Sequence, residues 1–210
     1  MKTDDLIRGL SSDRATGMAM GRAWTLALAL AIVAAGAVFF ATMGPRPDFG
    51  AAAETSRFVF KFFVTGALAA TAWLTVKRLS TPGGGERALL PLLVAPAMLI
   101  AAVLIELSVI PPDQIGMRLV GKNAAICLVA IPAIGLLPLA IFFAALRHGA
   151  PDRPQLAGLV AGILAGGVAA SFYAAHCTDD SPLFVIVWYS LAIAVLGVAG
   201  ALAGRMAARW

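Results

Sequence analysis

The chain has 210 residues, of which 60% are apolar and only 13% are charged. Soluble domains usually contain about 45–50% apolar and about 25% charged residues. The composition therefore excludes a disordered chain, a disulfide-rich scaffold, for which two cysteines are too few, and a soluble α/β enzyme. A net charge of +5 is compatible with nucleic-acid binding, so this function must be judged from the positions of the basic residues.

Six apolar stretches are each long enough to cross a bilayer, because about 20 helical residues span about 30 Å of hydrocarbon. The connectors between them are short and rich in turn residues, which leaves no room for a second folded domain. The sequence thus predicts an all-α, six-helix transmembrane bundle over residues 24–204, with an N-terminal tail (1–23) and a C-terminal tail (205–210). The predicted spans are 24–43, 58–76, 88–110, 124–146, 156–175 and 183–204.

The basic residues are distributed unequally between the two sides of this bundle. Eleven Lys and Arg residues fall in the tails and in the connectors after the second and fourth spans, against five on the other side. The positive-inside rule places the richer side in the cytoplasm, so both termini are predicted to be cytoplasmic. The basic charge then encodes orientation in a lipid bilayer, and no nucleic-acid partner is expected.

Regularly spaced glycines predict close helix packing. Gly158, Gly162 and Gly166 repeat every four residues in the fifth span, and Gly200 and Gly204 repeat this spacing in the sixth. Small residues at this spacing let membrane helices approach each other closely. We interpret these glycines as packing positions inside the bundle rather than as a dimer interface, and the sequence does not indicate an oligomeric state.

Two cysteines and a histidine are the candidates for chemistry. Cys127 begins the fourth span, and His176 and Cys177 follow the fifth, so the predicted topology places all three on the outer side. Two thiolates and an imidazole suit a transiently bound soft metal ion, and two thiols in an oxidising compartment can form a disulfide. Asp179 and Asp180 lie beside them. No other cofactor is expected.

A structural interpretation of the same residues stays open. Cys127 and Cys177 could be small apolar fillers, and Asp179 or Asp180 could cap the sixth span. Their position on one shared side of the membrane favours redox or metal sensing, although the spacing alone is a weak signal.

The first ten residues predict a short amphipathic helix, because Leu6, Ile7 and Leu10 share one helical face. Acidic residues near its start suit the helix dipole. Such a helix could lie on the membrane surface or dock a cytoplasmic partner, and the residues alone do not decide between these roles. The candidate docking residues are Lys2, Thr3, Asp4, Asp5, Leu6, Ile7 and Leu10.

Several segments resemble the NrsF-type anti-sigma factors, which are six-span bacterial inner-membrane proteins that hold an extracytoplasmic-function sigma factor inactive. The resemblance covers essentially the whole chain, and Thr178 and Met117 are its small departures. The matching segments are MKTDDLI (1–7), RHGAP (147–151) with Pro154, GKNAAICL (121–128) and HCTDDSPLF (176–184), followed by Trp188 and Tyr189.

This resemblance implies that the tail binds a sigma factor and that the outer cysteines sense heavy-metal or oxidative stress. It also implies a multi-pass protein of the bacterial inner membrane that is not an enzyme.

Two alternatives have weaker support. A metal or solute transporter needs a polar path through the bilayer, but the only charged residues within the spans, Lys61 and Glu106, lie toward the outer ends. A thiol oxidoreductase would need a Cys-x-x-Cys pair, which is absent.

Overall fold

The computed structural model describes residues 20–83 and 85–207, and the regular structure within them is entirely helical. Six helices in these ranges are long and apolar enough to cross a membrane, the same number as the predicted spans. The candidate docking residues between Lys2 and Leu10 lie outside the described ranges.

The observed helices match the predicted spans closely. The fourth predicted span coincides with its helix, whereas the first helix begins at Met20, inside the predicted tail, and the last one continues to Ala207. In chain order the helices are α1 (Met20–Thr42), α2 (Phe49–Ala53), α3 (Ser56–Leu79), a 3₁₀ segment (Glu86–Leu93), α4 (Val94–Val109), α5 (Pro112–Val120), α6 (Ala124–Leu146) and α7 (Pro154–Ala174), and the sixth span is formed by α8 (Pro182–Phe184), a π-helical turn (Val185–Tyr189) and α9 (Ser190–Ala207).

Two short helices and a π-helical turn were not predicted. Helix α5 starts with Pro112 at its first helical position, where the missing N–H costs nothing, and none of its side chains is buried. The Trp188 indole in the π-helical turn donates a hydrogen bond to the Leu119 carbonyl (2.9 Å), which fixes α5 to the sixth span. These features escape hydropathy analysis because they are too short to cross a bilayer, or lie within a longer apolar run.

Helix α7 occupies the centre of the bundle, since 14 of its 21 residues are buried, against three of the 16 residues of α4. Its inward residues are mostly alanine and glycine, which lets neighbouring helices approach closely. The third span lies at the periphery and starts with the 3₁₀ segment, which contains Pro91. Helix α6 continues through Pro132 and Pro138.

All five predicted packing glycines lie in the contact between α7 and α9. A Cβ atom on Gly162 would collide with the carbonyl oxygen of Leu196, and Gly158 and Gly200 face each other so closely that neither position could hold a Cβ. Gly204 lies in the same way against Pro154. On Gly166 the added Cβ would be 2.8 Å from the Ile193 side chain.

We predict that Gly162→Ala destabilises the bundle by about 1–3 kcal/mol, because the added methyl group meets backbone that cannot move aside cheaply. Gly66→Ala is the matched control, since Gly66 lies in a spanning helix with nothing within 4 Å of its added Cβ. Thermal unfolding of the purified proteins in detergent should show a lower midpoint for Gly162→Ala alone. Equal midpoints would contradict the close approach of α7 and α9.

Candidate functional site at the cysteine end

Cys127 and Cys177 lie at the same end of the bundle, which we call the cysteine end. It is formed by the connectors 43–55, 110–123 and 175–181, and the last of these hydrogen-bonds to the other two. The connector 175–181, which we call the cysteine loop, carries four of the predicted site residues, His176, Cys177, Asp179 and Asp180, and Cys127 lies on α6. The structure thus brings the predicted outer-side residues to one region.

Both cysteines are free thiols with no exposed surface. Cys127 lies in the first turn of α6, where its N–H donates to the Asn123 carbonyl (2.8 Å). Cys177 follows the end of α7, and its Sγ lies 3.8 Å from the Asp179 carbonyl. Both belong to one buried cluster with Tyr173 and Tyr189.

Burial raises the pKa of the Cys177 thiol, and the nearby Lys61 ammonium opposes this shift only in part. The thiol is therefore protonated near neutral pH. Because the thiolate is the nucleophile and the metal ligand, the closed arrangement holds Cys177 in an unreactive form.

Two cations hold the cysteine loop through Asp180. The Lys61 ammonium lies 2.5 Å from one carboxylate oxygen of Asp180, and the Arg46 guanidinium lies 3.0 Å from the other. Lys61 has no exposed surface and also donates to the Cys177 carbonyl (2.8 Å). Arg46 additionally pairs with Asp48 (2.6 Å), and this hydrogen bond raises the pKa of the guanidinium and lowers that of Asp48.

Asp179 joins the cysteine loop to the helix that carries Cys127. One of its carboxylate oxygens accepts hydrogen bonds from the backbone N–H groups of Lys122 (2.9 Å) and Asn123 (2.8 Å), and from the Asn123 side chain (2.9 Å). This carboxylate therefore satisfies donors at the start of α6 and attracts the positive end of its dipole.

The alternative prediction that Asp179 or Asp180 caps the sixth span is wrong. Ser181 is the N-cap, and its hydroxyl accepts the Leu183 N–H at 3.2 Å. Serine directly before Pro182 occupies the capping position, which leaves the two carboxylates free to bind groups from other helices.

Glu106 attaches the third span to the same loop. Only 3% of Glu106 is exposed, and its carboxylate accepts from the Ser181 hydroxyl (2.7 Å) and pairs with Arg118 (3.0 Å) and Arg57 (3.3 Å). A buried carboxylate with these partners is compensated, so it anchors the loop.

The His176 side chain contacts another connector of the cysteine end. Its Nδ1 lies 2.9 Å from the Gly44 carbonyl, and its ring lies against Tyr173 with 6.2 Å between centroids. Across residues 20–83 and 85–207, no three His, Cys, Asp or Glu side chains are placed to hold a metal ion. A donation from Nδ1 to the Gly44 carbonyl would leave Nε2 as the metal-binding nitrogen of His176. A soft-metal site formed by Cys127, His176 and Cys177 stays a prediction.

Sequence reasoning missed the parts played by Lys61, Asn123 and Gly121. Lys61 gave a signal, since a charged residue in an apolar span usually has a buried partner. Gly121 has a φ of +60°, and a Cβ there would lie 2.7 Å from the Asp179 carboxyl carbon. This glycine allows the α5–α6 connector to approach the cysteine loop. The sequence shows only that Gly121 lies in a turn-rich connector, which does not reveal this contact.

Comparisons with known proteins cover the full chain. The family described as "Negative regulator of sigma F" (NrsF) matches residues 10–210. The "Anti-sigma-F factor NrsF" of Caulobacter vibrioides is 38% identical, and the "Probable anti-sigma-F factor NrsF" of Azospira oryzae is 34% identical; each alignment covers 100% of both chains. No solved structure matches the chain. The chain therefore belongs to the NrsF family, whose members are regulatory proteins named as negative regulators of sigma F.

Proposed function

We propose that this protein is an inner-membrane anti-sigma factor that holds an extracytoplasmic-function sigma factor through tail residues 1–23. It releases this partner when heavy-metal or oxidative stress changes the thiols of the cysteine end. The observation that carries the proposal is the full-length match to two proteins named as anti-sigma-F factors. The buried thiol cluster supports the sensing step, since it lies at the end of the bundle opposite the start of α1, which the tail precedes in the chain.

The distribution of basic residues supports a cytoplasmic tail. Among the described residues, five basic side chains lie at the cysteine end, at positions 46, 57, 61, 118 and 122, against seven at the opposite end, at positions 22, 77, 78, 87, 147, 153 and 205. An excess of Lys and Arg marks the cytoplasmic side, so the cysteine end would face the periplasm.

We propose two kinds of thiol chemistry for the signal. In oxidation, the two thiols lose two protons and two electrons as an S–S bond forms, and a hydroperoxide accepts them as its O–O bond breaks to give an alcohol and water. In metal binding, the sulfurs of Cys127 and Cys177 would lose their protons and hold a soft cation between them. Either reaction would draw α6 and the end of α7 together, because one cysteine lies on each.

A packed route connects the thiols with the start of α1. Cys127 begins α6, and Phe142 near the other end of the same helix stacks against Trp24, with 6.1 Å between ring centroids. Trp24 lies in the first turns of α1, which directly follows the tail. A shift of α6 would therefore move the helix from which the tail emerges, as a two-state switch requires.

Affinity purification from native membranes tests this function. The tagged protein should co-purify a sigma factor from unstressed cells. Treatment of the same preparation with cadmium or peroxide should then release that partner. A bundle that never retains a sigma factor, but supports solute uptake in vesicles, would favour the transporter alternative.

A further inference from the structure

The two thiols are unreachable in the closed structure, which sets a requirement on any signal. Neither Cys127 nor Cys177 has exposed surface, so a reagent from the aqueous phase cannot touch either sulfur. Reactivity of a buried group then depends on local opening of the segment that covers it. The segment to examine is the cysteine loop, because Cys177 is part of it.

Lys61 differs from the other residues that hold this loop. It lies in the apolar α3 helix with no exposed surface, and both of its polar contacts, the Asp180 carboxylate and the Cys177 carbonyl, belong to the cysteine loop. A buried ammonium is stabilised only while its partners stay in place. The Lys61 ammonium also lies 5.2 Å from the centroid of the Phe58 ring. Phe58 belongs to the same helix as Lys61, so this contact does not hold the loop.

We propose that Lys61 is a positioning residue whose ion pair with Asp180 gates access to the buried thiols. While the pair is closed, the cysteine loop holds Cys177 among Cys127, Tyr173 and Tyr189; when the pair opens, the thiols become reachable. The gate itself follows from the contacts of Lys61, and its part in signalling rests on the proposed function.

The other groups that hold the loop would stay compensated if the loop opened. Arg46 keeps Asp48 as a partner when Asp180 moves away, and the bonds of Asp179 end on uncharged N–H groups. Breaking the pair from one side leaves a charge buried without its main partner, which is costly, whereas replacing both members with apolar residues is often neutral. Replacing only one of Lys61 and Asp180 should therefore destabilise the closed loop much more than replacing both.

The test measures how fast N-ethylmaleimide alkylates Cys177 in the full-length protein in lipid vesicles, with mass spectrometry to assign the site. Lys61→Met and Asp180→Leu should each raise the rate about tenfold or more. The double variant should return to within about threefold of the unchanged protein, because the two changes are coupled. Glu54→Leu is the matched control for Asp180→Leu, since this carboxylate is exposed at the same end and lies outside the cysteine loop, and it should leave the rate unchanged.

Two results would overturn the gate: single variants that label at the rate of the unchanged protein, or a double variant as reactive as the single ones, which would indicate unspecific damage. If the single variants fail to insert, Lys61→Arg, which keeps the charge, should still label within a few-fold of the unchanged protein. Hydrogen exchange of the Lys122 and Asn123 amides in the unchanged protein should also report the same opening as Cys177 labelling, and unrelated opening rates would overturn the proposal.

The gate and the proposed function can fail separately. Faster labelling in the single variants, without release of any sigma factor, would uphold the gate and count against stress-induced release. Release that occurs while Cys177 stays protected from alkylation would uphold the anti-sigma function and overturn the gate.

Discussion

Leu6→Asp, Ile7→Asp or Leu10→Asp should abolish repression, so that a reporter for the partner sigma factor is fully active without stress. Each change puts a carboxylate into the predicted apolar docking face. Burying such a charge without a partner costs several kcal/mol, and about 3 kcal/mol already lowers affinity on the order of 100-fold. Reporter activity in unstressed cells is the measurement.

Ser12→Asp is the matched control for these tail variants, because it adds the same charge two residues beyond the predicted helix and outside its docking residues. It should repress normally. Immunoblots of membrane fractions must show equal protein levels. Repression retained by all three apolar-face variants at normal levels would place docking in the short connectors at the tail end of the bundle.

The spans could be predicted because the bilayer imposes one strong requirement, a continuous apolar helix of sufficient length. Helix α6 coincides with its predicted limits even though Pro132 and Pro138 interrupt the apolar run. The π-helical turn and the 3₁₀ segment could not be predicted, because a changed hydrogen-bond pattern leaves hydropathy unaltered.

The shared location of the thiols also followed from the sequence, since counting spans is enough to place Cys127 and Cys177 at one end. The partners that hold them did not follow. Lys61 reaches Asp180 because its helix, α3, packs beside α7. Which helices are neighbours depends on the packing of small residues across the bundle. The capping prediction failed for a similar reason, because Asp179 is bound by the distant start of α6.

Induction by stress should be lost in Cys127→Ser and in Cys177→Ser, while repression in unstressed cells stays intact. If the two thiols act as one unit, through a disulfide or a shared metal ion, then removing either should disable the response completely. The double variant should be no worse than either single one, since effects within a unit do not add. Reporter output across copper, cadmium and peroxide doses is the measurement.

A matched control separates lost sensing from lost packing. Both cysteines are fully buried, so serine itself places a hydroxyl in an apolar setting at a cost of about 1–3 kcal/mol. Ala174→Ser adds a hydroxyl to the same buried cluster without removing a thiol, and it should respond normally.

His176→Ala distinguishes the two kinds of thiol chemistry. If a soft metal ion is held by both sulfurs and the imidazole, this variant should respond only weakly to copper and cadmium, yet fully to peroxide. If a disulfide is the signal for every inducer, it should respond to all three, since His176 contacts the Gly44 carbonyl and supplies no sulfur. A double cysteine variant that is induced like the unchanged protein would show that Cys127 and Cys177 only fill space in the core, and the sensing element would then have to be sought among the ion pairs of the cysteine end.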